Sequence, residues 1–281
     1  MKKIIISIVI VILIALGVYF IIKSNNSIVV DRDDVTSTDT QASSTPVVNK
    51  EMEVIGKSVG GLDITAYNFG NATGTDKILF VGGIHGGYEK NTVTVSQELI
   101  DYLKTNPSVI PANVKVSVIP VLNPDGLAKG EGAVGRFNGN NVDLNRNFDC
   151  DWQTNGKWQN KTVSGGATAF SEPESQAIKS YIESNNFTAV VVYYSAAGGV
   201  FSSSCHNGIL AETRNLTNTY AKASGYPAHE EFNFYEITGD MVNWLAKENT
   251  PAISVLLTNH TDSEWTKNKA GVEALLKYYA K

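Results

Sequence analysis

Apolar positions along the chain fall into three regimes. Ile4 to Ile22 is an unbroken apolar run. Ser24 to Lys50 has neither a helical nor a strand period. From about Met52 onward, short apolar runs alternate with stretches whose apolar residues recur at helical spacing. The first regime is just long enough to cross a bilayer as a helix, and Lys2 and Lys3 before it favour a cytoplasmic N-terminus with the rest exported. A cleaved signal peptide is the rival, but its apolar core would be shorter and end in small residues, whereas Tyr19, Phe20, Ile21 and Ile22 close this one. Residues 1–23 are therefore read as an uncleaved signal-anchor in the cell membrane, with the folded part outside the cytoplasm. Residues 24–50, rich in Ser, Thr, Asp and Val, lack the apolar surface to fold alone and read as a flexible linker.

Residues 51–281 carry the folding pattern. Glu53–Ser58 and Leu62–Asn68 predict two strands joined through Gly60-Gly61, a hairpin signal. Lys77–Gly82, Val114–Val121, Thr188–Tyr194 and Ala252–Leu257 predict buried strands. Asn91–Leu103, Glu172–Ser184, Leu210–Ser224, Met241–Lys247 and Ser263–Ala280 predict helices, the second with Ser171 as its N-cap and Pro173 in its first turn. Strands alternating with helices predict an α/β fold with a mixed, mostly parallel sheet and helices on both faces.

Composition adds little beyond size. The 281 residues, 42% hydrophobic, suffice for one large domain plus an appendage. The net charge of -5 and the lack of a basic stripe argue against a nucleic-acid partner. The two cysteines, Cys150 and Cys205, leave two readings open. Export favours a disulfide between them, and separate buried thiols are the alternative.

One stretch departs from the alternation. Asn123-Pro124-Asp125-Gly126 opens a long polar loop containing Arg136 and Asp143-Leu144-Asn145-Arg146-Asn147-Phe148. Two arginines in one polar loop can clamp a carboxylate, because guanidinium matches it in a bidentate fork. Upstream, His85 and Glu89 follow the third predicted strand, where α/β sheets place ligands, and a His and a Glu a turn apart can converge on zinc. The plainer reading is a loop histidine with Glu89 complementing a helix N-terminus.

These separated pieces, together with Ser171-Glu172-Pro173-Glu174, resemble the zinc carboxypeptidase family that includes carboxypeptidases A and B. The resemblance runs from about Met52 to Lys281. It implies a carboxypeptidase-like fold, a zinc cofactor held in part by His85 and Glu89, and a peptide ligand with a free carboxylate. It also implies that Arg136 polarises a scissile carbonyl, that Asn145 and Arg146 hold the terminal carboxylate, and that Tyr235 is a mobile residue facing the substrate. The family separates its His and Glu by two residues, and this chain separates them by three.

Two positions break the pattern. Tyr194 stands where the family has its third zinc ligand, a His. Phenolate is an uncommon zinc ligand with a reference pKa of about 10, so a packed, hydrogen-bonded tyrosine is the favoured reading. Leu256 stands where the family has its catalytic Glu and cannot accept a proton. His206, on the segment leaving the Tyr194 strand, is the one other histidine considered as a substitute ligand; His229 and His260 read as loop residues, and Glu264 as decoration of the closing helix. Three functions stay open: a membrane-tethered metallocarboxypeptidase trimming peptides, cell-wall peptides among them; a non-catalytic binder of peptide C-termini and other carboxylates that descends from such an enzyme; or a purely structural role, which predicts neither binding nor zinc.

Overall fold

The computed structural model of the protein describes residues 51–281. The expected anchor and linker fall outside the described residues. Strands β1 (Met52–Lys57) and β2 (Asp63–Gly70) form the expected antiparallel hairpin. They are followed by β3 (Asp76–Val81), α1 (Lys90–Thr105), β4 (Val114–Ile119) and the short α2 (Pro124–Ala128). A small hairpin, β5 (Asn155–Trp158) and β6 (Lys161–Ser164), precedes α3 (Pro173–Asn185) and β7 (Ala189–Ser195). The chain ends with β8 (Gly199–Ser202), α4 (Ala211–Ser224), β9 (Ala228–His229), α5 (Met241–Lys247), β10 (Ala252–Leu257) and α6 (Trp265–Tyr278).

Eight strands form one sheet in the order β1-β2-β4-β3-β7-β10-β8-β9, while β5 and β6 pair only with each other. The centre, β4-β3-β7-β10, is parallel, and antiparallel pairs flank it on both sides. The sheet is thus mixed, as expected. Its antiparallel share exceeds the single hairpin read from the sequence, because β4 also pairs antiparallel with β2, and β8 with β10.

Alternation along each central strand sends side chains to opposite faces. Val191 and Tyr193 of β7 and Ile253, Val255 and Leu257 of β10 join Leu99 of α1, Tyr220 of α4 and Leu275 of α6 in one buried layer. Val190, Val192 and Tyr194 of β7 and Leu256 of β10 face the other way, with Ile178 of α3, Trp244 of α5, and Leu144 and Phe148 of the polar loop. Burying β-branched and aromatic strands on both faces gives the two-sided core that parallel strands require.

Some boundaries shift. β4 stops at Ile119 because Pro120 cannot donate to the ladder. Glu172, rather than Ser171, occupies the N-cap position of α3, and the Ser171 hydroxyl bonds the Glu172 carboxylate instead. The expected irregular loop contains α2, whose Asn123 cap accepts from Gly126 N at 2.8 Å, and two 3-10 turns, Ala133–Arg136 and Leu144–Arg146.

Candidate functional site

A cavity of about 940 Å³ opens at the C-terminal ends of β3, β7 and β10. His85, Glu89, Arg136, Asn145, Arg146, Tyr194, Tyr235 and Leu256 all line it, so every site residue expected from the sequence, cysteines aside, converges here.

The chain leaves β3 through Gly82-Gly83 and turns through a 3-10 segment, Gly86–Glu89, with His85 at its cap. That turn places His85 Nδ1 2.9 Å from Glu89 Oε1 despite the three-residue spacing. His85 Nε2 lies 3.4 Å from Asp143 Oδ1. Neither approach has hydrogen-bonding angles: both ring nitrogens and Glu89 Oε2 are buried without a hydrogen-bond partner. The turn packs so closely on the following loop that a Cβ on Gly87 would sit 2.2 Å from Gly130 O. That contact brings Arg136 beside Glu89.

Arg136 is buried, and its Nε donates to Asp143 Oδ2 at 2.8 Å while Nη1 lies 3.9 Å from Glu89 Oε1. Its guanidinium carbon sits 4.8 Å over Trp158 and 5.9 Å over Tyr88. Burial works against its charge, yet Asp143 and Glu89 outweigh it and hold the guanidinium above its ordinary pKa. Burial likewise opposes ionisation of Asp143, but Arg136 and His85 hold that carboxyl far below its usual range. Asp143, part of the motif but given no role by sequence, is therefore the carboxylate that fixes Arg136, and it lies against His85.

The expected carboxylate clamp is engaged with the protein itself. Arg146 donates through Nε and Nη2 to Lys157 O, at 2.8 and 2.6 Å, and through Nη1 to Asn145 O. Asn145 Oδ1 accepts from the Tyr194 hydroxyl and from Met241 N, each at 3.1 Å. The arginine is thus placed at the cavity but not left free, because the β5–β6 hairpin, which the sequence pattern did not show, delivers an acceptor to it.

Tyr194 is the packed, hydrogen-bonded tyrosine favoured from the sequence. Burial, reinforced by the Asp240 and Glu89 charges, pushes its phenol well above its ordinary value. Leu256 lies beside it as its register partner and is 7% exposed. His85 Nδ1 and Glu89 Oε2, orphaned and close together, fit two-ligand binding of a metal. Tyr194, read from the sequence as standing at the third-ligand position, is a phenol committed to Asn145, so the residues present do not fit a three-ligand catalytic zinc.

The other residues sort clearly. Cys150 and Cys205 are disulfide-bonded, with Cα atoms 6.3 Å apart. His206 is not a substitute ligand: it is exposed beside that disulfide, with Nε2 3.0 Å from Asp151 Oδ1. Among the described residues, the one group of three potential metal-binding side chains meeting within 4.8 Å is Cys150, Cys205 and His206, whose sulfurs are consumed in the disulfide. His229 stacks on Phe201. Glu264 stands at the N-cap position of α6, and its carboxylate turns away to accept from Thr258 N. Tyr235 is half-buried at the cavity wall, edge-on to Phe232. His260 lies at the cavity with Nδ1 3.1 Å from Ser195 Oγ, a placement its loop sequence did not signal.

Asp240 is the residue sequence reasoning missed. Its Oδ2 caps α5 by accepting from Asn243 N at 3.3 Å, while Oδ1 is buried at the cavity without a hydrogen-bond partner. Burial pushes its carboxyl up to about 6, against the pull of Arg146. An Asp before Met241–Lys247 was legible as a cap; its place at the cavity depends on Met241 N bonding Asn145, a contact between distant segments.

Comparisons with known proteins agree with this geometry. The zinc carboxypeptidase family profile matches residues 42–266. Carboxypeptidase Z of Mus musculus is 32% identical over 117 residues, covering 34% of this chain and 17% of the relative. Carboxypeptidase SOL1 of Arabidopsis thaliana is 27% identical over 192 residues, covering 64% of this chain and 34% of the relative. The chain therefore spans only a minor part of these relatives' length. Among solved structures, murein-tripeptide amidase MpaA from Escherichia coli O157 superimposes with a TM-score of 0.61 at 25% identity, covering 82% of this chain and 93% of that one. Carboxypeptidase A from Helicoverpa armigera superimposes with a TM-score of 0.64 at 19% identity, covering 81% and 66%, and shares the fold.

Proposed function

This chain belongs to the zinc carboxypeptidase family, and from that premise we propose that it binds carboxylate-terminated peptides while turning them over slowly or not at all. One observation supports the reading: Tyr194 and Leu256, the residues read from the sequence as replacing the third metal ligand and the proton acceptor, are register partners facing the cavity. A zinc-activated water needs both a firmly held metal and a carboxylate to take its proton. Asp143 is not that carboxylate on this reading, since Arg136 holds it.

Binding needs less. Two guanidinium groups, Arg136 and Arg146, and the Asn145 side chain meet at one cavity, and a guanidinium fork suits an anionic chain end. Residual two-ligand metal binding at His85 and Glu89 is compatible with this reading, because their orphaned atoms remain. Cell-wall peptides are the proposed ligand class, supported by the 25% identity to a murein-tripeptide amidase across nearly all of that protein. The proposed location is outside the cytoplasm, tethered by the apolar run to Ile22. The Cys150–Cys205 disulfide supports an oxidising compartment.

The test is binding of a peptide as free acid and as C-terminal amide, with cleavage assayed alongside. The free acid should bind more tightly and stay intact. Equal binding of the two forms would remove the carboxylate assignment. Protection of the domain from protease added to intact cells would remove the external location.

A further inference from the structure

The β5–β6 hairpin covers both arginines of the cavity. Lys157 O takes two donors of Arg146, and the neighbouring Trp158 ring lies 4.8 Å from the Arg136 guanidinium carbon. Trp158 also meets Tyr88 edge-on with centroids 5.0 Å apart, and Lys161 lies over it at 4.8 Å. Outside its own two strands the hairpin joins no sheet. The fit is close: a Cβ on Gly156 would sit 2.8 Å from Arg146 Cδ and 3.0 Å from Cγ. Arg146 is buried, so its side chain and the hairpin are wedged together and neither shifts without the other.

We infer that the hairpin is a ligand-released strap: an incoming carboxylate takes Arg146 from Lys157 O, and the hairpin loosens as it does. This rests on the carboxylate-binding reading above. A neutral carbonyl is the weaker acceptor for guanidinium, and a carboxylate accepts in the bidentate, charge-assisted geometry that Lys157 O now imitates with one atom. Because the strap's bonds and the ligand's compete for the same donors, the coupling is reciprocal: a looser strap raises affinity, and ligand loosens the strap.

Amide hydrogen exchange of residues 155–164 tests it, measured on the full protein with acetyl-Ala-Ala-Leu as free acid and as amide, with calorimetric binding in parallel. The strap predicts that the free acid binds and speeds exchange in this segment by at least about tenfold, while the amide does neither. Arg146→Ala should show fast exchange without ligand and no further response. Arg146→Lys, which keeps the charge but not the fork, should fall between. Free-acid binding with unchanged or slower exchange would overturn the strap and leave the carboxylate reading standing. Native-like slow exchange in both Arg146 variants would overturn it as well. Binding of the free acid no tighter than the amide would overturn the carboxylate reading, and the strap with it.

Discussion

Leu256 of β10 is the register partner of Tyr194 of β7, and in this parallel pair both side chains face the cavity and the same buried layer. On the proposed reading the two departures from the family pattern are one local change, an aromatic and an aliphatic residue packed side by side in place of a metal ligand and a base.

This adjacency predicts non-additive repair. Leu256→Glu alone should restore little cleavage, because without a held metal there is no activated water to assist. Tyr194→His should restore zinc binding and slight turnover. The double variant should exceed both, with the base adding roughly 10²- to 10⁴-fold. Zinc content and peptide cleavage across the four proteins check this. A Leu256→Glu variant as active as the double would contradict it.

Removing one guanidinium should be selective for the ligand's charge. A hydrogen bond to a charged group is worth about 1.5–3 kcal/mol, so Arg136→Ala should weaken free-acid peptide binding by roughly ten- to a hundredfold. Binding of the amidated peptide should change far less. The paired titrations decide it, and an equal loss for both forms would assign Arg136 a structural role alone.

Asp240 predicts a pH effect on stability. Its folded carboxyl titrates at about 6 against an ordinary 3.8, so folding favours the protonated form. Its contribution is full below the ordinary value and is lost as pH rises through 6. Asp240→Asn removes the charge and keeps the cap of α5, since Asn caps as well as Asp. The variant should match the native protein near pH 4 and be more stable at pH 8, by at most about 3 kcal/mol. Chemical denaturation at the two pH values is the measurement. A variant less stable at pH 8 would show that ionised Asp240 is satisfied in the fold.

The disulfide closes a separation of 55 residues between the polar loop and the segment after β8. Chain entropy puts its contribution at about 4 kcal/mol. Cys205→Ser should lower the unfolding midpoint, and reductant should lower the native midpoint to match. A midpoint indifferent to both would remove this contribution.

Much of this was legible because it is local. Apolar runs placed β3, β4, β7 and β10, helical spacing placed α1 and α4, and the order of short motifs gave the family. Residue-by-residue reading singled out Tyr194 and Leu256, which the fold sets side by side at the cavity. The rest depended on distant segments meeting. The β5–β6 hairpin is only four residues a side, too short for its alternation to register, yet it decides what Arg146 bonds. Asp143 and Asp240 drew no role from the sequence, and only folding sets them beside Arg136 and the cavity. His85 and Glu89 meet across a 3-10 turn that the sequence pattern did not show.

The central claim is that this family member holds peptide ends without cutting them. Its most direct test is one incubation of the purified protein with excess zinc and a murein tripeptide. Retained metal, bound peptide and released product are quantified together. The account predicts far less than one zinc per chain, peptide bound through its free carboxylate, and no product within many turnovers' time for an intact family enzyme. One firmly held zinc per chain with rapid product release would contradict it.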